Sequence, residues 1–257
     1  MNRTGPLKPI KDLFSEESDR YAKYRPVYPD ELFHFISSMS NHHYTALDCA
    51  TGNGQVAEGI STFFDEIFAI DISQDQLNYA SKRPNITYSV QRAEDTSFPS
   101  SQFDLITVAQ ALHWFDLPSF FAEAKRSLKT DGILAIWAYS TFSSDDPVIN
   151  HQIDELYNGT LSGFWDEART MVENGYANIQ PVGFSEIQTT TNFKIAVEWD
   201  LNQLFGYLRT WSAVKKYIRR NGKDPLNGLV EFFNSYELDS PIDFNFPIHL
   251  RIFRSSD

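Results

Sequence analysis

The sequence predicts an α/β fold built on an open, mostly parallel sheet. Three short apolar runs, at 44–49, 67–71 and 103–109, each have the length and composition of one buried strand. A loop with two glycines, Gly52 and Gly54, separates the first run from apolar residues at helical spacing. A strand, a glycine loop and a helix form the opening unit of nucleotide-binding sheets, because glycine lets the backbone approach a ligand and the helix start offers it free N–H groups.

The first half of the chain alternates between helices and strands. A helix is predicted at 31–39, where apolar residues cluster, and the strand at 44–49 follows it. Beyond the glycine loop we expect a helix near Val56, a strand at 67–71, a helix capped by Ser73, strands at 86–90 and 103–109, a helix that Asp116 and Pro118 begin, a turn at 129–132 and a strand at 133–139.

The second half is predicted to be richer in helices. We expect a polar segment at 140–146, a helix that starts at Asp146, one strand across 187–197, and helices at 201–220 and 225–236. Alternating apolar residues at 244–252 predict a last strand. Pro247 should mark a bulge or the start of that strand, because proline cannot donate a ladder hydrogen bond.

The glycine loop is compatible with two ligands. Residues 52–57 satisfy the dinucleotide fingerprint G-x-G-x-x-G/A, with Asp71 at the end of the next strand as the ribose acid. Asp48, at the end of the preceding strand, favours a different ligand. A carboxylate repels a pyrophosphate in a partly dry site, but it suits a ligand that carries an ammonium group and no phosphate. S-adenosylmethionine is such a ligand, and a dinucleotide oxidoreductase stays the minor alternative.

Three strings of residues resemble one family. The segment 48–54, Asp-Cys-Ala-Thr-Gly-Asn-Gly, resembles the first motif D/E-x-G-x-G-x-G of class I S-adenosylmethionine-dependent methyltransferases. Ala50 replaces the first glycine of that motif, and its backbone is strained if φ is positive there. The strings Tyr-x-x-Tyr-Arg-Pro-x-Tyr-Pro from Tyr21 and Gln-Ala-Leu-His-Trp-Phe from Gln110 resemble small-molecule methyltransferases of the trans-aconitate type.

The resemblance implies an architecture. It predicts a Rossmann-like, seven-stranded, mostly parallel sheet in the order 3-2-1-4-5-7-6, with helices on both faces and a helical cap. The whole chain, 1–257, would form a single methyltransferase domain. Residues 20–139 would form its cofactor-binding core, and residues of about 140–240 would contribute a cap over the substrate.

The resemblance also assigns S-adenosylmethionine to residues along the strand ends. Asp71 would bind the ribose hydroxyls, and Arg25 would meet the methionine carboxylate through a charge-assisted pair. Ile72 and Leu77 would form an apolar wall for the adenine, and Glu94 would recognise its exocyclic amine. The structural alternatives are a packed N-terminal clamp for Arg25, a helix cap for Asp71 and an ordinary acidic loop for Glu94. The predicted cofactor residues are Tyr24, Arg25, Asp48, Ala50, Thr51, Gly52, Gly54, Asp71, Ile72, Leu77, Ala93, Glu94 and Gln110.

The acceptor is predicted to bind beyond the strand at 103–109, because ligands of open α/β sheets bind outside the carboxyl ends of the strands. His113 is the candidate catalytic base for a phenol or an amine, whereas a carboxylate is already ionised and needs no base. The alternative for His113 is to brace the loop without proton chemistry. The predicted substrate-binding residues are His113, Trp114, Trp137 and Trp165.

Composition restricts the partners and the compartment. The 257 residues carry a net charge of −12, which disfavours nucleic acid as a substrate because phosphate contacts need a basic surface. Cys49 is the one cysteine, so no intramolecular disulfide can form and a reducing compartment is expected. From these residues we expect no secretory leader, no membrane-spanning helix and no metal site. We therefore expect a cytoplasmic monomer without a metal, membrane or nucleic-acid partner.

These patterns predict an enzyme that transfers a methyl group from S-adenosylmethionine to a small-molecule acceptor. The trans-aconitate resemblance suggests a carboxylate as that acceptor. Two alternatives stay open, a methyltransferase that acts on a protein or RNA and a non-catalytic protein that binds S-adenosylmethionine. The aromatic residues of the predicted cap favour a small, closed pocket.

Overall fold

The computed structural model describes residues 24–237 and 241–256. Within these residues one sheet contains nine strands. The strands are β1 Thr45–Cys49, β2 Glu66–Asp71, β3 Ile86–Val90, β4 Phe103–Ala109, β5 Leu128–Tyr139, β6 Ser143–Ser144, β7 Phe184–Ile187, β8 Phe193–Trp199 and β9 Ile242–Ser255.

The first five strands form the parallel part of the sheet, in the order β3-β2-β1-β4-β5. β9 runs antiparallel beside β5, and β6 continues along the same edge of β9. β7 and β8 pair antiparallel with the opposite edge of β9. The predicted class, a Rossmann-like and largely parallel sheet, is confirmed. The predicted count of seven is wrong for the described residues, because three separate strands besides β5 pair with β9.

Helices fill the connections between the strands. They are α1 Asp30–Ser38, α2 Gln55–Ile60, α3 Gln74–Asn78, α4 Leu117–Ser127, α5 Pro147–Asp154, α6 Arg169–Glu173, α7 Leu201–Arg209, α8 Ser212–Asn221 and α9 Asn227–Ser235. A 3₁₀ turn spans Leu112–Trp114 and a π-helix spans Glu155–Thr160. Side chains cap the starts as expected, since Ser73 accepts the N–H of Gln76 and Asp116 accepts that of Ser119. In the described part of the chain, no helix combines the length and the apolar character that a membrane span requires.

β5 shows that the sheet is buried on both faces. Successive side chains of a strand point to opposite faces, so a strand in the middle of the fold contributes to two cores. One apolar cluster includes α1 and α2, and the other includes α4. The β5 residues divide between them as Ile133, Ala135 and Trp137 in the first, and Leu134, Ile136 and Ala138 in the second.

Three predicted stretches around β9 differ from the structure. The strand expected across 187–197 is two strands, β7 and β8. They follow the same edge of β9, which is why the apolar alternation continues across the break. The segment 140–146, predicted as a polar segment without a strand, contains β6 and the buried ring of Phe142. The turn expected at 129–132 is an irregularity inside β5, where Asp131 has a φ of +62°.

The helix predicted across 201–220 is also two elements. α7 and α8 separate at Thr210 and Trp211, and Trp211 has an extended backbone with a ψ of 131°. Apolar spacing persists through such a short break, so periodicity alone does not reveal it. The helix predicted at 225–236 is confirmed as α9.

Pro247 marks neither a bulge nor a strand start. It lies inside β9 opposite Lys194 of β8, with no shift of register. Its carbonyl accepts the N–H of Ser140 at 3.1 Å, at the point where the partner changes from β5 to β6. The proline therefore lies at a gap between two partner strands, where a missing N–H costs the ladder least.

Candidate active site

The loop between β1 and α2 has the backbone that glycine favours. Gly52 and Gly54 have φ values of +57° and +81°, and Ala50 has a φ of +53°. A side chain with a Cβ is strained by about 1–2 kcal/mol in this region, so Ala50 stores strain where the family motif has glycine. The N–H of Thr51 donates to the carbonyl of Ile70 at 2.9 Å, which ties the loop to the end of β2.

Asp48 lies at the end of β1, and its carboxylate is buried. The Thr107 hydroxyl donates to Oδ1 at 2.7 Å, and the Thr51 hydroxyl donates to Oδ2 at 2.5 Å. Burial raises the pKa of Asp48 from 3.8 to about 6, and these hydrogen bonds oppose that rise. Asp48 also lines a cleft above the loop. A positive group bound in that cleft would stabilise the ionised carboxylate.

Asp71 ends β2 and holds two backbone N–H groups. Its Oδ2 accepts the N–H of Gly52 and its Oδ1 accepts that of Ser73, both at 2.9 Å. The bond to Ser73 supplies part of the capping role that the sequence left as an alternative, because Ser73 precedes α3. A carboxylate accepts about four hydrogen bonds, which is enough for a structural role and a ribose contact together.

The cleft opens between the carboxyl ends of β1 and β4. Six of the predicted cofactor residues line it, namely Arg25, Asp48, Ala50, Thr51, Gly52 and Gln110. Tyr28, Gln55 and Tyr139 line it as well; Tyr28 belongs to the N-terminal string, and none of the three was among the predicted cofactor residues. Gln55 Oε1 accepts the N–H of Tyr28 at 3.2 Å, so α2 holds the N-terminal segment against the cleft.

Arg25 and Gln110 connect the cleft to a second cavity, since both residues line both spaces. Arg25 Nη1 donates to the Tyr139 hydroxyl at 2.7 Å, and its guanidinium lies 5.5 Å from the centre of the Tyr207 ring. Gln110 has a φ of +54°, and its side-chain amide donates to the Tyr139 carbonyl at 3.1 Å. The end of β5 therefore positions both residues.

The predicted adenine residues lie apart from the cleft lining. Ile72 is 40% exposed beyond β2, whereas Leu77 and Ala93 are buried. Glu94 accepts the N–H of Asp116 at 3.1 Å, which fixes the loop after β3 to the start of α4. Their contact with adenine stays a prediction. Gly54 does not line the cleft either, but a Cβ on it would overlap the hydroxyl of a tyrosine on β3.

Two other predicted residues have packing roles. The Tyr24 ring lies so close to Gly206 of α7 that a Cβ there would overlap it. Trp137 was expected to contact the acceptor, but its side chain is fully buried in the core, with the Tyr28 ring centre at 5.7 Å. Its position inside β5 points it into the core and away from both cavity linings. Tyr21 of the N-terminal string lies outside the described residues.

The second cavity brings the other predicted acceptor residues together. His113, Trp114 and Trp165 line it, and Tyr207, Trp211 and Arg169 complete much of the wall. Asp166 also lines it, and the Asp166 carboxylate lies 2.7 Å from Lys216 Nζ. The cavity thus adjoins the cleft and is bounded mainly by aromatic rings and arginines.

Arg169, the first residue of α6, is held by two aromatic rings. Its guanidinium lies 5.3 Å from the Trp165 ring and 5.7 Å from the Tyr157 ring, and its Nε donates to the Tyr157 hydroxyl at 3.0 Å. The indole N–H of Trp165 in turn donates to the Tyr157 carbonyl, which belongs to the π-helix. Over the described residues, no protein group accepts a hydrogen bond from Nη1 or Nη2 of Arg169. Its two terminal nitrogens are thus available to an anion.

His113 and Tyr176 form a buried pair beside this cavity. His113 Nδ1 lies 3.0 Å from the Tyr176 hydroxyl. Burial lowers the pKa of His113 to about 3, and the charge of Arg169 acts in the same direction. Burial also raises the pKa of Tyr176. A histidine with so low a pKa is a weak base, so the catalytic-base role predicted for His113 is not supported, and its packing against Tyr176 fits the bracing alternative.

Comparison with known proteins decides the family. A family model described as a methyltransferase domain matches residues 47–136. A Dictyostelium discoideum protein named as a methyltransferase is 32% identical over 93% of both chains. The chain belongs to the class I S-adenosylmethionine-dependent methyltransferases. A Saccharomyces cerevisiae protein named as an S-adenosylmethionine-dependent methyltransferase is 23% identical over 88% of this chain and 91% of its own.

A solved structure supports the same assignment. The structure of a type II methyltransferase from Anaeromyxobacter dehalogenans superposes on this methyltransferase with a TM-score of 0.83. Its sequence is 34% identical, and the match covers 91% of this chain and 99% of that one. A match of that extent includes most of the segment of about 140–240 as well as the sheet.

The cleft of this methyltransferase fits S-adenosylmethionine, the cofactor of the family. The buried Asp48 carboxylate on the cleft wall suits the ammonium group of the methionine moiety. The glycine loop would let the backbone approach the cofactor, and Asp71 is tied to that loop through Gly52. A pyrophosphate would meet Asp48 unfavourably, which argues against the dinucleotide alternative.

Several residues of this methyltransferase's site were missed from sequence. Tyr176 belongs to the segment predicted to form the cap, and Trp211 to the helix predicted across 201–220, but neither residue was assigned a role from sequence. Arg169 and Tyr139 had no such signal, because a single arginine or tyrosine in an ordinary helical or strand pattern resembles many others. Their places in the walls of the cleft and the second cavity are what reveal them.

Proposed function

We propose that this methyltransferase methylates an oxygen of a small-molecule carboxylate. The observation that carries the proposal is the Arg169 guanidinium, which Trp165 and Tyr157 hold at the wall of the second cavity. A planar guanidinium with two available terminal nitrogens binds a carboxylate through paired, charge-assisted hydrogen bonds. Contact with the two rings fixes the orientation of the guanidinium before an anion binds, so the Arg169 side chain loses little conformational entropy on binding.

The charges around the cavity favour an anion. Arg25 and Arg169 both line it, and its one described carboxylate, on Asp166, already has Lys216 as an ion-pair partner. Glu173 lies 4.0 Å from Arg169 Nε and, over the described residues, leaves the terminal nitrogens of Arg169 without a carboxylate partner. Among the described lining residues two guanidinium groups accompany one carboxylate, whereas the whole chain has a net charge of −12. Such a local field attracts and orients an anionic substrate in an acidic protein.

The acid–base groups of the cavity also suit a carboxylate acceptor. When bound, S-adenosylmethionine supplies a methyl group activated by a positively charged sulfur. A carboxylate that takes this methyl group becomes an ester and loses no proton, whereas a phenol or an ammonium group must lose one. Within the described lining, His113 has a pKa of about 3, and burial raises the pKa of Tyr207, so neither group is suited to accept a proton near pH 7.

The acceptor is small because the cap supplies a bulky wall. Trp165, Arg169, Tyr207 and Trp211 all come from the segment of about 140–240 and lie over the carboxyl end of β4. A protein or RNA segment would need a wider opening and, for RNA, a basic surface. We place both segments, 20–139 and about 140–240, in one domain, and we propose a monomeric protein of the cytoplasm, in keeping with its single buried cysteine.

A paired acceptor screen tests the proposal. Carboxylic acids of graded size would be incubated with S-adenosylmethionine and the purified protein, each beside its amide, alcohol and amine counterpart, and methyl esters would be measured by mass spectrometry. Acids should be methylated and their counterparts should not. Methylation of an amine or an alcohol, with no acid methylated, would refute the proposal.

Substitution of Arg169 tests its role directly. Arg169→Met should raise the KM of an accepted acid by roughly 10- to 100-fold, since a hydrogen bond to a charged group contributes about 1.5–3 kcal/mol. Arg169→Lys should give a smaller rise, because it keeps the charge and loses the fork. The affinity for S-adenosylhomocysteine should not change in either variant. Arg209→Met is the matched control, because Arg209 pairs with Asp224 away from the cavity. An unchanged KM in Arg169→Met would contradict the assignment.

A further inference from the structure

We propose that Tyr176 fixes the His113 ring as a hydrogen-bond donor to the acceptor, which makes His113 a specificity-determining residue and Tyr176 its positioning residue. The inference rests on the proposed function, since it names the group that holds the acceptor oxygen. It assigns His113 the role of giving a hydrogen bond, and no proton is transferred.

The surroundings of Tyr176 settle which partner donates. The distance of 3.0 Å between Tyr176 Oη and His113 Nδ1 allows the proton to lie on either atom. Burial keeps the Tyr176 phenol protonated. Over the described residues, His113 Nδ1 is the one acceptor within hydrogen-bond distance of that hydroxyl, so a proton on Nδ1 would leave the buried phenol O–H without an acceptor, which is unfavourable. Tyr176 therefore donates, and Nδ1 accepts.

The tautomer of His113 follows from that bond. A neutral imidazole carries one N–H, so a ring that accepts at Nδ1 carries its proton at Nε2. Tyr176 is 2% exposed, which places the Nδ1 edge on the buried side of the ring. His113 lines the second cavity, so the opposite edge, with Nε2, is the one that faces it. In the part of the chain that the structure describes, the bond to Tyr176 is the one hydrogen bond of the His113 ring, which leaves the Nε2–H for a ligand.

The backbone around Tyr176 holds the phenol in place. Tyr176 has a φ of +58°, a strained conformation for an aromatic residue, and its carbonyl accepts a hydrogen bond from Nη1 of Arg251 on β9. Strain of this kind persists when the surrounding structure over-determines the conformation, and it is common where a side chain must be positioned. The last strand of the sheet therefore fixes the ring that orients His113.

A donor at Nε2 discriminates between acceptors. It binds a carboxylate or carbonyl oxygen. It disfavours an ammonium group, because two hydrogen-bond donors would then face each other. Together with Arg169 it would hold the acceptor carboxylate from two sides of the cavity. Loss of one such donor should reduce affinity for the acid without changing its reaction chemistry.

The tautomer can be measured without turnover. The whole chain, labelled with ¹⁵N-histidine and saturated with S-adenosylhomocysteine, would be studied by long-range ¹H–¹⁵N correlation, with His113→Gln to assign the resonance among the six histidines. We expect a neutral ring with its proton on Nε2 at pH 7. In Tyr176→Phe the Nδ1–H form should appear, whereas Tyr79→Phe, at an exposed position, should leave the spectrum unchanged. A wild-type ring protonated on Nδ1, or on both nitrogens, would overturn the proposal.

Acetate, a simple carboxylate probe, tests the donor role. Its titration should shift the His113 Nε2–H resonance, and Tyr176→Phe should weaken the apparent affinity by several-fold. With any acid that is turned over, His113→Ala should raise KM by about tenfold with a smaller change in kcat, and His113→Gln should restore part of the loss because its amide can reach the position of Nε2. A resonance that acetate does not move would overturn the donor role. Failure of every acid to be methylated would instead refute the proposed function, since neither resonance experiment depends on turnover.

Discussion

Cofactor affinity should rise with pH between about 5 and 7, and Asp48 should be the group that causes it. Burial raises the pKa of this carboxyl from 3.8 to about 6 in the cofactor-free protein. Ionisation of such an acid costs stability in the folded state, so the free energy of unfolding falls as the pH rises from about 4 to about 6. At 1.36 kcal/mol for each pKa unit, the full loss is about 3 kcal/mol.

A bound ammonium group should reverse this loss. It favours the ionised carboxylate and lowers the pKa of Asp48 again. Binding then releases a proton at pH values below about 6, and each further unit of acidity weakens binding by about tenfold. The dissociation constant of S-adenosylhomocysteine should therefore be about tenfold larger at pH 5 than at pH 7. This ligand isolates the ammonium effect, because it lacks the sulfonium charge.

Isothermal titration calorimetry at pH 5, 6, 7 and 8 measures the dependence, and buffers of different ionisation enthalpy report the released proton. Asp48→Asn removes the titrating group and keeps the shape, so its affinity should be weaker at pH 7 and nearly independent of pH. Equal dissociation constants at pH 5 and pH 7 in the wild type would refute the reasoning. A tenfold change that persists in Asp48→Asn would assign the proton to another group.

Two further predictions concern the loop and the cap. Asp71→Asn should weaken S-adenosylhomocysteine binding by roughly tenfold or more and lower Tm, because the NH₂ group of the new side chain must face a backbone N–H of Gly52 or Ser73. Calorimetry measures the affinity and thermal unfolding measures Tm. A lower Tm with unchanged affinity would restrict Asp71 to a structural role. Gly206→Ala should displace the Tyr24 ring and raise the dissociation constant of S-adenosylhomocysteine several-fold. Gly228→Ala is the control, because a Cβ there meets no atom within 4 Å, and it should leave that constant unchanged. Equal affinities in both variants would show that Tyr24 does not contribute to the cofactor site.

The parallel half of the sheet could be predicted because its signals are local. β1, β2 and β4 each contain a short apolar run, and the residues that end each run lie at the carboxyl edge of the sheet. The cleft residues Asp48, Gly52 and Gln110 were found in this way, since the carboxyl ends of parallel strands meet at one edge. Asp71 followed from the same argument, one strand further along.

The second cavity could be predicted only in part, because its wall comes from segments that are distant in sequence. Trp165 and Arg169 face His113 across a tertiary contact that no spacing encodes. The pKa of His113 depends on that same contact and on burial, neither of which a sequence pattern reports. From the sequence alone, this histidine was therefore a candidate base and a candidate loop brace at once, and the burial that makes it a poor base is visible only in the structure.

The backbone of Gln110 shows why the junction between the two cavities is built from strained residues. Its φ of +54° is one that glycine would adopt at less cost. Glycine, however, would lack the amide that reaches the Tyr139 carbonyl at 3.1 Å, and Tyr139 in turn accepts the hydrogen bond of Arg25 through its hydroxyl. Tyr139 of β5 thus holds Arg25 and Gln110, the two residues that line both the cleft and the second cavity. Strain of about 1–3 kcal/mol at this position is tolerated because the side chain does what a glycine could not, which is to fix the junction of the two cavities.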